Sequence, residues 1–147
     1  MIKKISFFVV CIFCFFNTQC DEDEVVVDFD NLCDDTVIID EGLYNNLISD
    51  SFLLSKVEII DDCLNIELGA SGCDGSTWEF RLVDSGAVAE SLPEQRYLKF
   101  QFVNKEDCLA AFERNVSFNL KPLQIDNGVN KVILNIEGWE SSLTYSY

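Results

Sequence analysis

Tyr97-Leu98-Lys99-Phe100-Gln101-Phe102-Val103 places Leu98, Phe100 and Phe102 at every second position, with Lys99 and Gln101 between them. Side chains alternate across a strand, so this spacing puts three bulky apolar groups on one face and the polar ones on the other. The pattern recurs outward in both directions. Asn115 to Leu120 carries Val116, Phe118 and Leu120, Lys131 to Glu137 carries Val132, Leu134 and Ile136, and the chain closes on Leu143, Tyr145 and Tyr147. Upstream, Thr36 to Ile39, Phe52 to Ile60, Leu64 to Leu68 and Thr77 to Val83 are strand candidates bounded by Gly, Asp, Asn or Ser. Asp61-Asp62 and Asp126-Asn127-Gly128 read as hairpin turns. Leu43 to Ile48 and Lys105 to Arg114 have helical spacing instead, enough for a turn or two each. About eight short strands in one domain predict an all-β fold, an antiparallel β-sandwich, with a partly open barrel as the other architecture of this kind.

The N-terminus follows a different logic. Met1-Ile2-Lys3-Lys4 precedes an apolar run from Ile5 to Phe16 that ends in Asn17-Thr18-Gln19-Cys20. A membrane-spanning helix needs about 20 apolar residues to cross roughly 30 Å of hydrocarbon, so this run is too short to span and reads as an export signal, residues 1–19. No A-x-A-like triplet lies near Gln19. Cys20 at the end of the run resembles the lipobox cysteine of bacterial lipoproteins, which implies lipidation there and an anchor in the outer membrane or at the cell surface. Asp21-Glu22-Asp23-Glu24 resembles the surface-export signal of Bacteroidota lipoproteins and also makes a solvated acidic tether, taken as residues 20–35, ahead of a domain from 36 to 147.

Removal of residues 1–19 leaves 8 basic residues against 26 acidic ones, a net charge of −18. Nucleic-acid affinity comes mainly from Lys and Arg displacing counterions, so this charge argues against nucleic acid as a partner. It argues equally against docking on anionic lipid through a basic patch, and leaves the acyl chains as the membrane attachment.

Cys11 and Cys14 fall inside the apolar signal and read as composition. Beyond Cys20 the chain holds Cys33, Cys63, Cys73 and Cys108, an even count that predicts two disulfides in an exported domain, with three connectivities open. A zinc site would need cysteines two to four residues apart, and these four are not so spaced.

The chain contains no histidine, which removes the commonest general base, the Ser-His-Asp and Cys-His arrangements and most zinc and iron sites. Paired carboxylates remain for a glycosidase-type site, with Asp61, Asp62, Glu67, Asp74, Glu106 and Asp107 available. Two reaction-class readings follow. One is a non-catalytic binding or accessory module of the cell envelope, and the other is a small glycan- or peptide-acting enzyme using such a pair. Asn115-Val116-Ser117 fits an N-glycosylation sequon but lies within a predicted strand, and Asp35-Thr36-Val37 resembles the Bacteroidota O-glycosylation motif with Thr36 as acceptor.

Gly69-Ala70-Ser71-Gly72-Cys73-Asp74-Gly75-Ser76-Thr77-Trp78 is the most unusual segment. Three glycines in seven residues allow a tight turn, while the lack of Gly-Lys-Ser/Thr excludes a phosphate loop and Cys73 breaks the G-x-S-x-G elbow. Gly72-Cys73, the strand from Trp78 to Leu82, Pro93-x-Gln95-Arg96, Glu106-x-Cys108-x-Ala110 and Val116-x-Phe118-x-Leu120 together resemble a family of Bacteroidota lipoproteins of unknown function. The resemblance implies pairing of Cys73 with Cys108 and of Cys33 with Cys63. Such a pairing would set Asp74 and Trp78 beside Glu106 and Asp107 as a candidate binding site. Calcium, which takes six to eight oxygen ligands, is the cation that Asp74, Glu106 and Asp107 could hold there; no other cofactor is expected.

Overall fold

The computed structural model describes residues 32–147 except 127 and 129, so the segment expected to be an export signal, Cys20 and the acidic run after it lie outside the described residues. The elements in chain order are β1 (Asp35–Thr36), β2 (Ile38–Ile39), α1 (Glu41–Asn46), β3 (Leu53–Ile60), β4 (Cys63–Gly72), β5 (Glu79–Ala89), β6 (Gln95–Val103), β7 (Ala110–Asn119), β8 (Lys131–Ile136) and β9 (Leu143–Ser146), with a 3-10 turn at Lys121–Leu123. They form two sheets, ordered β1-β7-β4-β3 and β2-β5-β6-β8-β9. The all-β sandwich expected from the alternation is the fold observed.

Leu98, Phe100 and Phe102 of β6 are buried together with Leu64, Ile66 and Leu68 of β4 and Val116 and Phe118 of β7. The rings of Phe100 and Phe118 meet edge-on with centroids 6.0 Å apart and join the two sheets. Each of these side chains removes apolar surface from water, worth about 1.5–3 kcal/mol apiece, and this is what holds the sheets face to face.

The antiparallel arrangement expected is corrected to mixed sheets, because among the described residues three pairings are parallel: β1 with β7, β2 with β5, and β6 with β8. The single strand expected over Thr36 to Ile39 is divided. Asp35 and Thr36 join the first sheet, Ile38 and Ile39 join the second, and Val37 is buried between them. Packing reaches further back than residue 36, because Cys33 is buried and Asp34 Oδ2 accepts from both the N–H (2.9 Å) and the Oγ (2.8 Å) of Ser117.

Asp61-Asp62 forms the two-residue turn between the paired residues Ile60 and Cys63, with Asp61 at φ 53°. The second expected hairpin is corrected. Gly128 does take φ 77°, but β7 and β8 on either side of it lie in different sheets. Asn127 lies outside the described residues.

A helix forms near the first helical segment, as α1, where Asp40 Oδ1 accepts from Leu43 N at 2.8 Å. The second is overturned, since Ala110–Asn119 is a strand paired with β4 from Gly72↔Ala110 to Cys63↔Asn119. The ladder gives the backbone of this stretch its partners, and of the apolar residues whose spacing favoured a helix only Phe112 packs against the core. Leu109 is 90% exposed.

Candidate functional site

Gly69 to Gly72 continue β4, so the glycine-rich segment turns only from Cys73 to Trp78. Its far side is fixed by the Cys73–Cys108 disulfide, Cα–Cα 4.7 Å, while Cys33–Cys63, Cα–Cα 5.7 Å, closes the base of β4. Both are the pairs that the resemblance implied.

The disulfide does bring Glu106 to the turn, and the contact is of one kind only. Glu106 Oε2 accepts from the N–H groups of Cys73 (2.5 Å), Gly75 (3.1 Å) and Asp74 (3.2 Å), while Oε1 accepts from Thr77 N (3.3 Å) and Oγ1 (3.2 Å). Loss of water around the carboxyl opposes its charge, but the N–H groups of Gly75, Cys73, Thr77 and Asp74 outweigh that and hold it at about 2. Asn104 sets the approach, accepting from Glu106 N at 2.9 Å and donating to Ser71 O at 2.7 Å. Glu106 is therefore a partly exposed anion held in a cradle of four backbone N–H groups and the Thr77 hydroxyl.

The other expected members of this site do different things. Asp74 Oδ1 accepts from Ser76 N at 2.8 Å within the turn, and its carbonyl accepts from Arg114. Asp107 is exposed. Trp78 is 7% exposed and belongs to the core, its ring edge-on to Phe102 at 5.0 Å and to Phe112 at 6.4 Å. Among the described residues no three His, Cys, Asp or Glu side chains stand close enough to hold a metal ion, so Asp74, Glu106 and Asp107 do not gather as a ligand set.

Of the remaining carboxylates considered for paired chemistry, Asp62 accepts from Tyr145 Oη at 2.6 Å and Asp61 occupies the hairpin turn. Glu67 lies with Lys56, Glu58, Asn65 and Asn115 around a shallow depression of about 300 Å³ on the outer face of the first sheet. Asn115 of the sequon is exposed on β7, and Thr36 is half-buried in β1.

Two features escaped the sequence reading. One is the buried pair Asp84 and Arg96: Arg96 Nη1 lies 2.8 Å from Asp84 Oδ1, which also accepts from Gly86 N at 2.8 Å. Burial pushes the Asp84 carboxyl above its ordinary range, against the pull of the Gly86 N–H and the guanidinium. Parity could have found it, since Phe80, Leu82 and Asp84 share one face of β5 and the first two are apolar.

The other is a groove along the edge of β6. β8 pairs with β6 only over Gln95 to Leu98, and Glu137 N then closes on Leu98 O at 2.9 Å. Further along, Asp50 N donates to Phe102 O at 2.9 Å and Ser49 Oγ accepts from Phe102 N at 2.9 Å. Between these two attachments lies a cavity of about 300 Å³, lined by Leu47, Phe52, Lys99, Phe100 and Glu137 among others. A second space of about 390 Å³, lined by Leu54, Trp139, Glu140 and Ser141, adjoins it at Gly138. Lys99 Nζ is held 3.5 Å from Glu137 Oε2 and 4.5 Å above the Tyr44 ring of α1. Glu140 has no ion-pair partner among the described residues.

No protein-family model matches the chain, and no curated protein matches its sequence. Solved structures do share the fold. A protein of unknown function, DUF1344, from Bacteroides vulgatus is 16% identical at TM-score 0.52, over 77% of this chain and 56% of that one. A NigD-like immunity protein from Bacteroides caccae is 11% identical at TM-score 0.53, over 74% of this chain and 57% of that one. The chain thus spans little more than half the length of these neighbours, and at such identities the likeness is one of fold.

Proposed function

We propose that the chain is an exported envelope lipoprotein anchored through Cys20, whose sandwich is a non-catalytic binding or accessory module. The observation that carries the reading is the disulfide pattern. Disulfides form and persist in oxidising compartments, and the two bridges use all four cysteines downstream of Cys20. Neither bridge uses Cys20, the cysteine that follows Asn17-Thr18-Gln19 at the end of the apolar segment and that this reading assigns to an acyl chain. The non-catalytic half is supported by the engagement of Glu106, Asp62 and Asp84 in fixed internal hydrogen bonds, in a chain without histidine. A role like that named for the NigD-like immunity protein would be of this binding kind.

Mass spectrometry of the mature protein from the membrane fraction tests the anchor. The expected product begins at Cys20 and carries the mass of acyl chains. An unacylated chain beginning elsewhere and recovered in the soluble fraction overturns it.

A further inference from the structure

The groove beside β6 is an interrupted strand edge. Residues two apart in a strand direct their backbone N–H and C=O to the same side. Leu98 and Phe102 direct theirs to the edge away from β5, where Glu137, Ser49 and Asp50 receive them. Phe100 stands midway between and faces the same way. No strand among the described residues pairs with it there, since β8 pairs with β6 only as far as Leu98, and the groove is lined by Phe100 itself.

We propose that this groove receives a protruding loop of a protein partner that carries an apolar side chain beside a basic one. A residue of the loop pairs with the Phe100 backbone, completing the ladder across the gap, as extended segments do at open strand edges. Its apolar side chain lies among Leu47, Phe52 and Trp139, and its basic neighbour faces Glu140. Charge selects the sign: Lys99 is engaged by Glu137 and Tyr44, Glu140 is unpaired, and the chain as a whole is at −16.

A neutral sugar is the less favoured occupant. Sugar hydroxyls need donors as well as acceptors, and here Ser49 Oγ and Lys99 Nζ are already bonded within the protein. The aromatic lining of Phe52 and Trp139 is shared with aliphatic walls at Leu47 and Leu54, so apolar contact outweighs hydrogen-bonding capacity in the groove.

The inference rests on the reading of the domain as a binding module. It is tested with the purified mature domain, disulfides intact, against a displayed library of short disulfide-closed random loops. The expected selection is of loops with a large apolar residue next to Lys or Arg, bound more weakly as salt is raised. Trp139→Ala is expected to weaken a selected loop roughly thirtyfold, and Glu140→Lys on the order of tenfold. Glu140 is exposed, so its variant keeps the fold and the comparison stays readable if Trp139→Ala does not. Failure to enrich any loop, enrichment of acidic loops, or binding indifferent to both variants overturns the proposal. So does a neutral oligosaccharide, such as chitohexaose, that binds and is lost in Trp139→Ala. A chain that is acylated at Cys20 and lacks turnover but ignores the library loses only this groove. A chain that turns over a substrate loses the binding-module reading itself.

Discussion

Tyr145 donates its phenol hydrogen to Asp62 Oδ1 at 2.6 Å and accepts from Gln124 Nε2 at 2.8 Å. The last strand of one sheet is thereby tied to the first hairpin turn of the other, with the Tyr145 ring wholly buried. Burial and the Asp62 hydrogen bond together push the phenol well above its ordinary pKa, so it remains the donor through the physiological range. Tyr145→Phe keeps the ring and removes the hydroxyl. Urea denaturation is expected to register a loss of about 1–3 kcal/mol, the cost of leaving buried partners unsatisfied. A loss below a few tenths would show the bond to be incidental.

Gly72 sits where a side chain has no room. A Cβ there would stand 2.5 Å from Glu106 Oε2 and 2.9 Å from the Trp78 ring. Gly72→Ala must displace either the carboxylate from its cradle or the indole from the core, and overpacking of this sort costs roughly 1–3 kcal/mol. A lower thermal midpoint together with a changed Trp78 near-UV circular dichroism band is the expected pair of results. An unchanged midpoint would mean that the β4 end yields freely.

Glu106 makes the turn sensitive to acid. Its folded pKa of about 2 lies below the ordinary 4.5, so its contribution is fully present above about 4.5 and is lost as the pH falls through about 2. Carbon-detected NMR titration of the Glu106 carboxyl should give a midpoint near 2, with the amide signals of Cys73, Gly75 and Thr77 moving alongside it. In Glu106→Gln the acid limb of the stability curve should flatten. A midpoint at the ordinary value would refute the cradle.

The Asp84–Arg96 pair is expected to be costly to break and cheap to replace. Arg96→Met leaves Asp84 buried and uncompensated, which costs about 3–5 kcal/mol, whereas the double variant Asp84→Leu/Arg96→Met should recover most of it. Chemical denaturation of the wild type, both single variants and the double variant measures the coupling. Additive losses would show that the two charges do not depend on each other.

The sandwich was legible in the sequence because most of its strands bury one face, and a buried face writes alternation. Leu98, Phe100 and Phe102, or Val116 and Phe118, announce both the strand and its inner side. The turn at Asp61-Asp62 was legible for the same local reason. What could not be read were relationships between distant segments. Ala110 to Arg114 shows no alternation because its residues are largely exposed, and only the partner strand β4 makes it extended. The parallel pairings depend on which sheet each strand joins, which no local pattern encodes. At the candidate site, the neighbourhood of Glu106 and the glycine-rich turn followed from the disulfide pairing. The direction of the interaction did not, since nothing in the residue types says that a carboxylate will face backbone N–H groups rather than other carboxylates. The groove was illegible altogether. It is a space left where β8 stops at Ile136 and the segment around Asp50 takes over the edge of β6.

The Cys33–Cys63 bridge also decides how the domain answers a mechanical pull. Tension entering from the N-terminal side reaches Cys33 and passes through the sulfur atoms directly to the start of β4. The 29 residues between the two cysteines then form a slack loop outside the force path. β1, β2, α1 and β3 lie outside the covalent path of the force, and the pull falls on β4 and on the ladders to β3 and β7 that hold it. An extracted domain would lengthen by less than its residue count predicts, with the enclosed segment released only after reduction.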